Sequence, residues 1–268
     1  MSYRFIIIGA GSAGCVLAER LSTDPGNMVL LLEAGGWDRN PLIHIPAALP
    51  AVAPNPRLNW GYHTQPEAEL NGRRLFWPRG KTVGGSSSIN GMVYTRGNAG
   101  DYDRWAMLGA EGWAYADVLP WFRRTEAYER DEDVFHGTSG PLNVTRGRRT
   151  SELCDLFVEA GVQAGYSLNE DFNGADQEGV GYFQLTNRNG RRCSSAVAYL
   201  KPARSRPNLT IITHAQVQSL VLEGKRVTGV RYLQHGAPKV AHAAREIVLS
   251  AGAIGSPQTV QCCIGSEG

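Results

Sequence analysis

A chain of 268 residues has room for one large domain or two modest ones, at roughly 150 residues per domain. Its 42% hydrophobic and 19% charged composition excludes a disordered polypeptide, and its 27 basic against 25 acidic residues leave a formal charge of only +2. That balance gives no electrostatic case for nucleic acid or an anionic membrane as the main partner. Glycine is in excess, 32 residues or about 12% against a usual value near 7%, with no collagen-like period. Such an excess points to tight turns and to backbone lying close against a ligand.

No apolar run approaches the ~18 residues of a bilayer span, and Met1 leads directly into Tyr3–Ile8 without a signal-peptide pattern. The cysteines (Cys15, Cys154, Cys193, Cys262 and Cys263) show neither a disulfide framework nor metal-ligand spacing. The expectation is a cytoplasmic protein, free or peripheral to the inner membrane, with no transmembrane segment and no metal.

In chain order, Tyr3–Ile8 reads as a short buried strand that runs into Gly9-Ala10-Gly11-Ser12-Ala13-Gly14, a complete G-x-G-x-x-G. A helix follows with Ala13, Val16, Leu17 and Leu21 on one face, ending near Asp24-Pro25-Gly26. The next strand, Val29–Leu32, ends on Glu33. In this β-α-β setting Gly9 permits the tight turn, Gly11 lets backbone approach a pyrophosphate, and Gly14 lets helix and strand pack closely. The helix N-terminus offers amides and a positive dipole end to phosphates. Glu33 follows Gly14 by 19 residues, where a carboxylate accepts hydrogen bonds from an adenosine ribose and repels a 2′-phosphate. The motif by itself does not choose between NAD and FAD.

After Glu33, the stretch from Pro41 to Pro56 reads as a long irregular excursion, of the kind that is functional or packed around a ligand. The small residues of Arg79 to Met92, among them Gly84-Gly85-Ser86-Ser87-Ser88, can form an amide-lined concavity. Later, Glu246–Ser250 reads as a strong strand entering Ala251-Gly252-Ala253, suited to returning a glycine turn to the nucleotide.

Together these segments resemble the glucose–methanol–choline family of FAD-dependent oxidoreductases, and within it the bacterial alcohol and choline dehydrogenases. Leu32-Glu33-Ala34-Gly35, Phe76-Trp77-Pro78-Arg79-Gly80-Lys81, Tyr94-Thr95-Arg96-Gly97 and Tyr102-Asp103-Arg104-Trp105 agree with the family pattern. So do His136-Gly137, Gly140-Pro141-Leu142, Ser194-Ser195-Ala196 and Ser250 to Pro257. The resemblance implies an α/β fold: a Rossmann-like FAD-binding domain with insertions, over residues 1–145 and 205–260, plus the start of a substrate-binding domain over 146–204. Residues 261–268 fall outside the pattern.

The resemblance also implies that Gly9, Gly11, Ser12, Ala13, Gly14, Glu33 and Ala34 hold the pyrophosphate and ribose of FAD. Val83, Gly84, Asn90, Gly91, Met92 and Val93 would lie along the pyrophosphate and isoalloxazine, and the Val217 backbone would meet the adenine. Some family members link the flavin covalently to a histidine just before the matching Asn. Ile89 stands there in this sequence, so a dissociable FAD is expected. The implied reaction is oxidation of a primary alcohol, choline-like or aliphatic, with electrons passed to an acceptor such as a quinone rather than NAD.

Such a reaction needs a base for the hydroxyl proton. The family places its catalytic histidine in the C-terminal half of a chain about twice this length. None of the six histidines here (His44, His63, His136, His214, His235, His242) matches that position, and His136 and His214 read as structural or surface residues. No catalytic residue is assigned. The expectation is therefore a shortened member, with a catalytically inactive FAD-binding fragment as the alternative and an ordinary NAD-dependent Rossmann enzyme as a third reading.

Overall fold

The computed structural model describes residues 3–147 and 151–264, with side chains described as far as Cys262. In the expected segment 261–268, residues 265–268 lie outside the described residues. In chain order the strands are β1 (Tyr3–Ile8), β2 (Val29–Leu32), β3 (Tyr62–His63), β4 (Phe76–Trp77), β5 (Val93–Tyr94), β6 (Glu126–Tyr128) and β7 (Leu142–Arg146). They continue with β8 (Gln184–Leu185), β9 (Asn187–Arg188), β10 (Arg191–Arg192), β11 (Leu209–Ile212), β12 (Ala215–Glu223), β13 (Arg226–Gln234) and β14 (Ala237–Leu249). The α-helices are α1 (Ser12–Leu21), α2 (Leu49–Val52), α3 (Ala99–Met107), α4 (Tyr115–Thr125), α5 (Glu152–Gln163), α6 (Lys201–Ala203) and α7 (Gly252–Ile264).

The chain forms two compact units, Met1–Gly91 with Ser194–Gly268, and Met92–Cys193. The boundaries expected from sequence, after residues 145 and 204, differ from these. Strand pairing gives the reason: Val93 and Thr145 both register with Leu185, so residues 93–146 share a sheet with the segment beyond 146.

The first unit is built on a six-stranded sheet in the order β11-β2-β1-β14-β13-β12. Strands β11, β2 and β1 run parallel, and β14 joins them through Glu246 to Leu249. The first half of β14 pairs antiparallel with β13, so this 13-residue strand links a Rossmann-type core to a β-meander. Val29–Leu32 and Phe5–Ile8 are buried along their whole length, as expected for parallel strands covered on both faces. Ile6, Ile8, Leu30 and Leu32 pack with Ala215, Val230, Tyr232 and Ala241 of the meander. Side chains alternate along a strand, so Ile7 and Leu31 point to the opposite face, where α1 packs.

Helix α1 buries Gly14, Cys15 and Ala18, while Ala13 is exposed and Val16, Leu17 and Leu21 are only half-buried. The expected apolar face is thus turned to the rim, and the smallest side chains meet the sheet. Proximity explains this: a Cβ on Gly14 would stand 1.9 Å from the Gly9 carbonyl oxygen. At that separation a large residue cannot face β1.

The excursion from Pro41 to Pro56 is a run of short helical turns closed on an apolar cluster of Ile43, Val52, Leu58 and Ile89. Ile89 is therefore a core residue of this loop.

The second unit has a four-stranded sheet, β5-β8-β7-β6, with β6 and β7 parallel and the other pairs antiparallel. Its interior is largely polar. Tyr128 and Val144 are buried there, but so are Arg96, Glu126, His136, Asn169, Asn173, Gln184 and Arg192. Helices α3 and α4 meet through Tyr102, which stacks edge-on with Trp105 and Phe122. Among the described residues no helix is long and apolar enough to cross a membrane.

Replacing Gly14 with Ala tests the close approach of α1 to β1. The added methyl forces helix and strand apart, and overpacking of this kind costs about 3 kcal/mol, the upper end of its usual range. Chemical denaturation of Gly14→Ala against the parent chain measures it. A loss below about 0.5 kcal/mol, the size of a neutral surface change, would contradict the packing described.

Candidate nucleotide site

The end of β1 and the start of α1 form one wall of a cavity of ≈ 460 Å³ in the first unit. Gly9, Gly11, Ser12 and Ala13 line it, with Glu33 and Ala34 after β2, and Ala215, Gln216 and Val217 from β12. Gly9 adopts φ +96, and a Cβ there would lie 2.6 Å from the Ser250 carbonyl, so only glycine makes this turn. Ser250 locks the crossing, its hydroxyl donating to the carbonyls of Ile8 (2.9 Å) and Gly9 (3.0 Å).

Helix α1 presents its N-terminus to this cavity. Its N-cap is Gly11, which supplies no capping side chain, and the first turn carries no acidic residue. The positive end of the helix is left for an anionic ligand. A second helix begins at the same cavity, since Gly252, Ala253, Ile254 and Gly255 of α7 also line it.

Glu33 is 6% exposed. Its Oε2 accepts from the Ala10 amide and its Oε1 from the Gly35 amide, both at 2.8 Å. Burial pushes the carboxyl up to about 7, against the lowering effect of these two amides and of Lys81. Each oxygen keeps a further acceptor site, so a diol with two donors can be held there.

The cavity is also lined by Arg79, Gly80, Gly85 and Ser86, with the aromatic side chains Trp60 and Tyr62. These rings stack 6.0 Å apart with planes 2° from parallel, and the Lys81 ammonium lies 4.4 Å from the Trp60 ring centre. Gly84 donates its amide to Ala10 (2.7 Å), tying this turn to the G-x-G-x-x-G loop.

The structure thus brings Gly9, Gly11, Ser12, Ala13, Glu33, Ala34 and Val217 to one cavity. Gly14 is instead spent on the helix–strand contact. Val83 and Gly84 are buried and do not line the cavity, where Gly85 and Ser86 do, and Asn90 and Gly91 are exposed without lining it. Met92 and Val93 belong to the second unit. Arg79, Gly80, Gly85 and Ser86, and the turn at Ala251-Gly252-Ala253, all expected near a ligand, also line the cavity, whereas Trp60, Tyr62, Ile254 and Gly255 were not among the expected residues. The Ser250 to Pro257 stretch was the signal for Ile254 and Gly255.

The contents of this site fit a dinucleotide: two helix N-termini for phosphates, a buried carboxylate for a ribose, and apolar walls from Val217, Leu249 and Ile8.

Comparison with known proteins identifies the family. A family model described as GMC oxidoreductase matches residues 3–263. The chain is 52% identical over 258 residues to an oxygen-dependent choline dehydrogenase of Sinorhizobium fredii (strain NBRC 101917 / NGR234), covering 96% of this chain and 47% of that protein. It is 49% identical over 263 residues to the mitochondrial choline dehydrogenase of Homo sapiens, covering 96% and 44%. Among solved structures, pyridoxine 4-oxidase from Mesorbium loti superposes with a TM-score of 0.92 at 38% identity, over 97% of this chain and 51% of that one. The chain therefore spans about half the length of the relatives it matches. With a nucleotide cavity of this construction and a family match over nearly its whole length, the chain belongs to the GMC oxidoreductases, a family whose cofactor is FAD.

Proposed function

We propose that this chain is the FAD-holding part of an oxidoreductase that converts a primary alcohol of the choline type to its aldehyde. The observation that carries this reading is the pairing of the α1 N-terminus and the buried Glu33 carboxylate across one cavity, in a chain 52% identical to a choline dehydrogenase. FAD, when bound, supplies the acceptor for the hydride leaving the alcohol carbon.

The chain's own residues bind and orient. The amides of Gly11, Ser12 and Ala13, and the opening turn of α7, would hold the pyrophosphate. Glu33 would accept hydrogen bonds from the ribose hydroxyls, and the Val217 backbone would meet the adenine. With Ile89 buried among apolar side chains, no histidine stands at that point to attach the flavin, and the cofactor is dissociable. None of the chain's histidines is given the role of base. Electrons pass to a quinone or another non-NAD acceptor, and the setting is cytoplasmic or peripheral to the inner membrane.

The visible spectrum of the purified chain supplied with FAD, before and after anaerobic choline, tests this. A flavin spectrum that bleaches supports choline oxidation by this polypeptide. A spectrum that forms without bleaching supports the cofactor site and assigns turnover to a longer protein. Failure to take up FAD at all rejects the proposal. Reoxidation of a bleached sample by quinone rather than by dioxygen identifies the acceptor.

Glu33 gives a second test. Ribose hydroxyls donate to the carboxylate, so binding favours the ionised form of a group that burial holds up at about 7. FAD affinity accordingly rises with pH, by about tenfold between pH 6 and 8, as the ionised fraction grows from about one-tenth to nine-tenths. Glu33→Gln abolishes the dependence and weakens binding about 10- to 100-fold, the loss expected for hydrogen bonds to a charged group. Flavin fluorescence titration measures both. An affinity flat with pH in the parent chain would show that Glu33 does not hold the ribose.

A further inference from the structure

The motifs Tyr94-Thr95-Arg96-Gly97 and His136-Gly137 play no part in the nucleotide cavity, and the second unit shows where they meet. Arg96 Nη2 donates to Glu126 Oε1 at 2.9 Å. His136 Nδ1 lies 2.9 Å from that same oxygen, and His136 Nε2 lies 2.8 Å from Asp171 Oδ2. Arg96, Glu126 and His136 are 6%, 0% and 0% exposed. Both ring nitrogens of a fully buried histidine therefore face carboxylate oxygens.

A neutral imidazole carries one N–H and one lone pair. In either tautomer its lone pair would face a carboxylate at hydrogen-bond distance with no proton between them. With both carboxyl groups ionised, only the imidazolium satisfies both contacts. The charges agree: Arg96 and His136⁺ balance Glu126 and the partly exposed Asp171, whereas a neutral ring leaves one negative charge unbalanced beside the buried Arg96–Glu126 pair.

The other groups around the ring do not supply that charge. Tyr94 of β5 lies against Arg96 and Glu126, and burial with the Glu126 charge keeps it a phenol. Tyr128 of β6 stacks on the ring, centroids 4.0 Å apart, and its hydroxyl accepts from Gln184 of β8. Asp133 accepts the His136 backbone amide. Arg123 of α4 donates to the His136 carbonyl and pairs with Glu132. Arg130 and Arg146 pair with Glu170 at the rim. Asp171 also receives Asn173 and Gln184, and Asn173 receives the Arg96 amide.

We propose that His136 is an obligate imidazolium that latches the second unit: its proton holds β6, the His136-Gly137 turn and the 169–173 loop together, and loss of that proton releases them. Burial alone would lower the affinity of the ring for its proton. The hydrogen bonds to Asp171 and Glu126, and their charges, outweigh burial and hold the ring at about 9. For Asp171 burial acts upward, and the bond to His136 and the Asn173 amide bring it below its ordinary range. A folded-state value raised above the ordinary 6.5 means that the latch contributes fully below pH 6.5 and is lost as the pH rises through about 9. The Asp171 contribution has the opposite sense, present above its ordinary 3.8 and lost as the solution becomes more acidic.

Histidine-selective NMR of the whole chain from pH 6 to 10, with hydrogen exchange of segments 124–146 and 169–185 over the same range, tests the latch. The proposal expects the His136 ring to stay in its imidazolium form at pH 8 and to titrate near 9. In the same interval both segments should lose protection beyond the base-catalysed rise seen in an unstructured peptide. His136→Gln should lower Tm by about 10 °C at pH 7, as expected when one member of a buried ionic pair is removed, and erase the transition near pH 9. Titration of His136 at its ordinary 6.5, or titration near 9 with no change in exchange, overturns the proposal. The NMR measurement decides the matter on the parent chain even where the variant does not fold.

Discussion

The first unit depends on one close approach, that of α1 to the turn leaving β1. Gly14 has no room for a side chain because the Gly9 carbonyl occupies the place of its Cβ. That contact sets the N-terminus of α1 against the ends of β1 and β2, where Glu33 emerges with its two oxygens fixed by the amides of Ala10 and Gly35. A wider separation would move the helix dipole from the cavity and displace the loop that carries the Ala10 amide donor. The placement of the helix N-terminus and that of the Ala10 amide beside Glu33 thus share one steric cause.

The two units solve the problem of burial differently. The first encloses an apolar sheet core, with Ile6, Ile7, Leu30 and Leu31 fully buried. The second has short strands of two to five residues and encloses an ionic chain running Arg96–Glu126–His136–Asp171. Apolar contacts are non-directional and tolerate exchange, whereas a buried charge network demands each partner in place. The second unit is correspondingly the part whose architecture is exposed to proton activity.

Much of the nucleotide half was legible in the sequence, because β-α-β geometry converts spacing into position. A strand at Tyr3–Ile8, the glycine loop, a helix of about three turns and a strand at Val29–Leu32 leave Glu33 little freedom in where it stands. The same reasoning misplaced the buried face of α1. Periodicity weights large apolar residues such as Leu17 and Leu21, while close packing selects Gly14, Cys15 and Ala18. A run of small residues likewise does not reveal which of them turns outward: Gly85 and Ser86 line the cavity, while Val83 and Gly84 are buried beside them. The division into units escaped that reasoning as well, because it hangs on Leu185 pairing with residues 40 and more positions away.

The sequence by itself determined the local frame: the glycine loop, its two flanking strands, the carboxylate at residue 33 and the family to which they point. These follow from contacts within some 30 residues, where chain geometry admits few arrangements. Only the tertiary structure decided that Trp60 and Tyr62 reach the same cavity as the glycine loop, and that the buried His136 ring sits between two carboxylates. No spacing rule places Glu126 and Asp171 on opposite nitrogens of one ring.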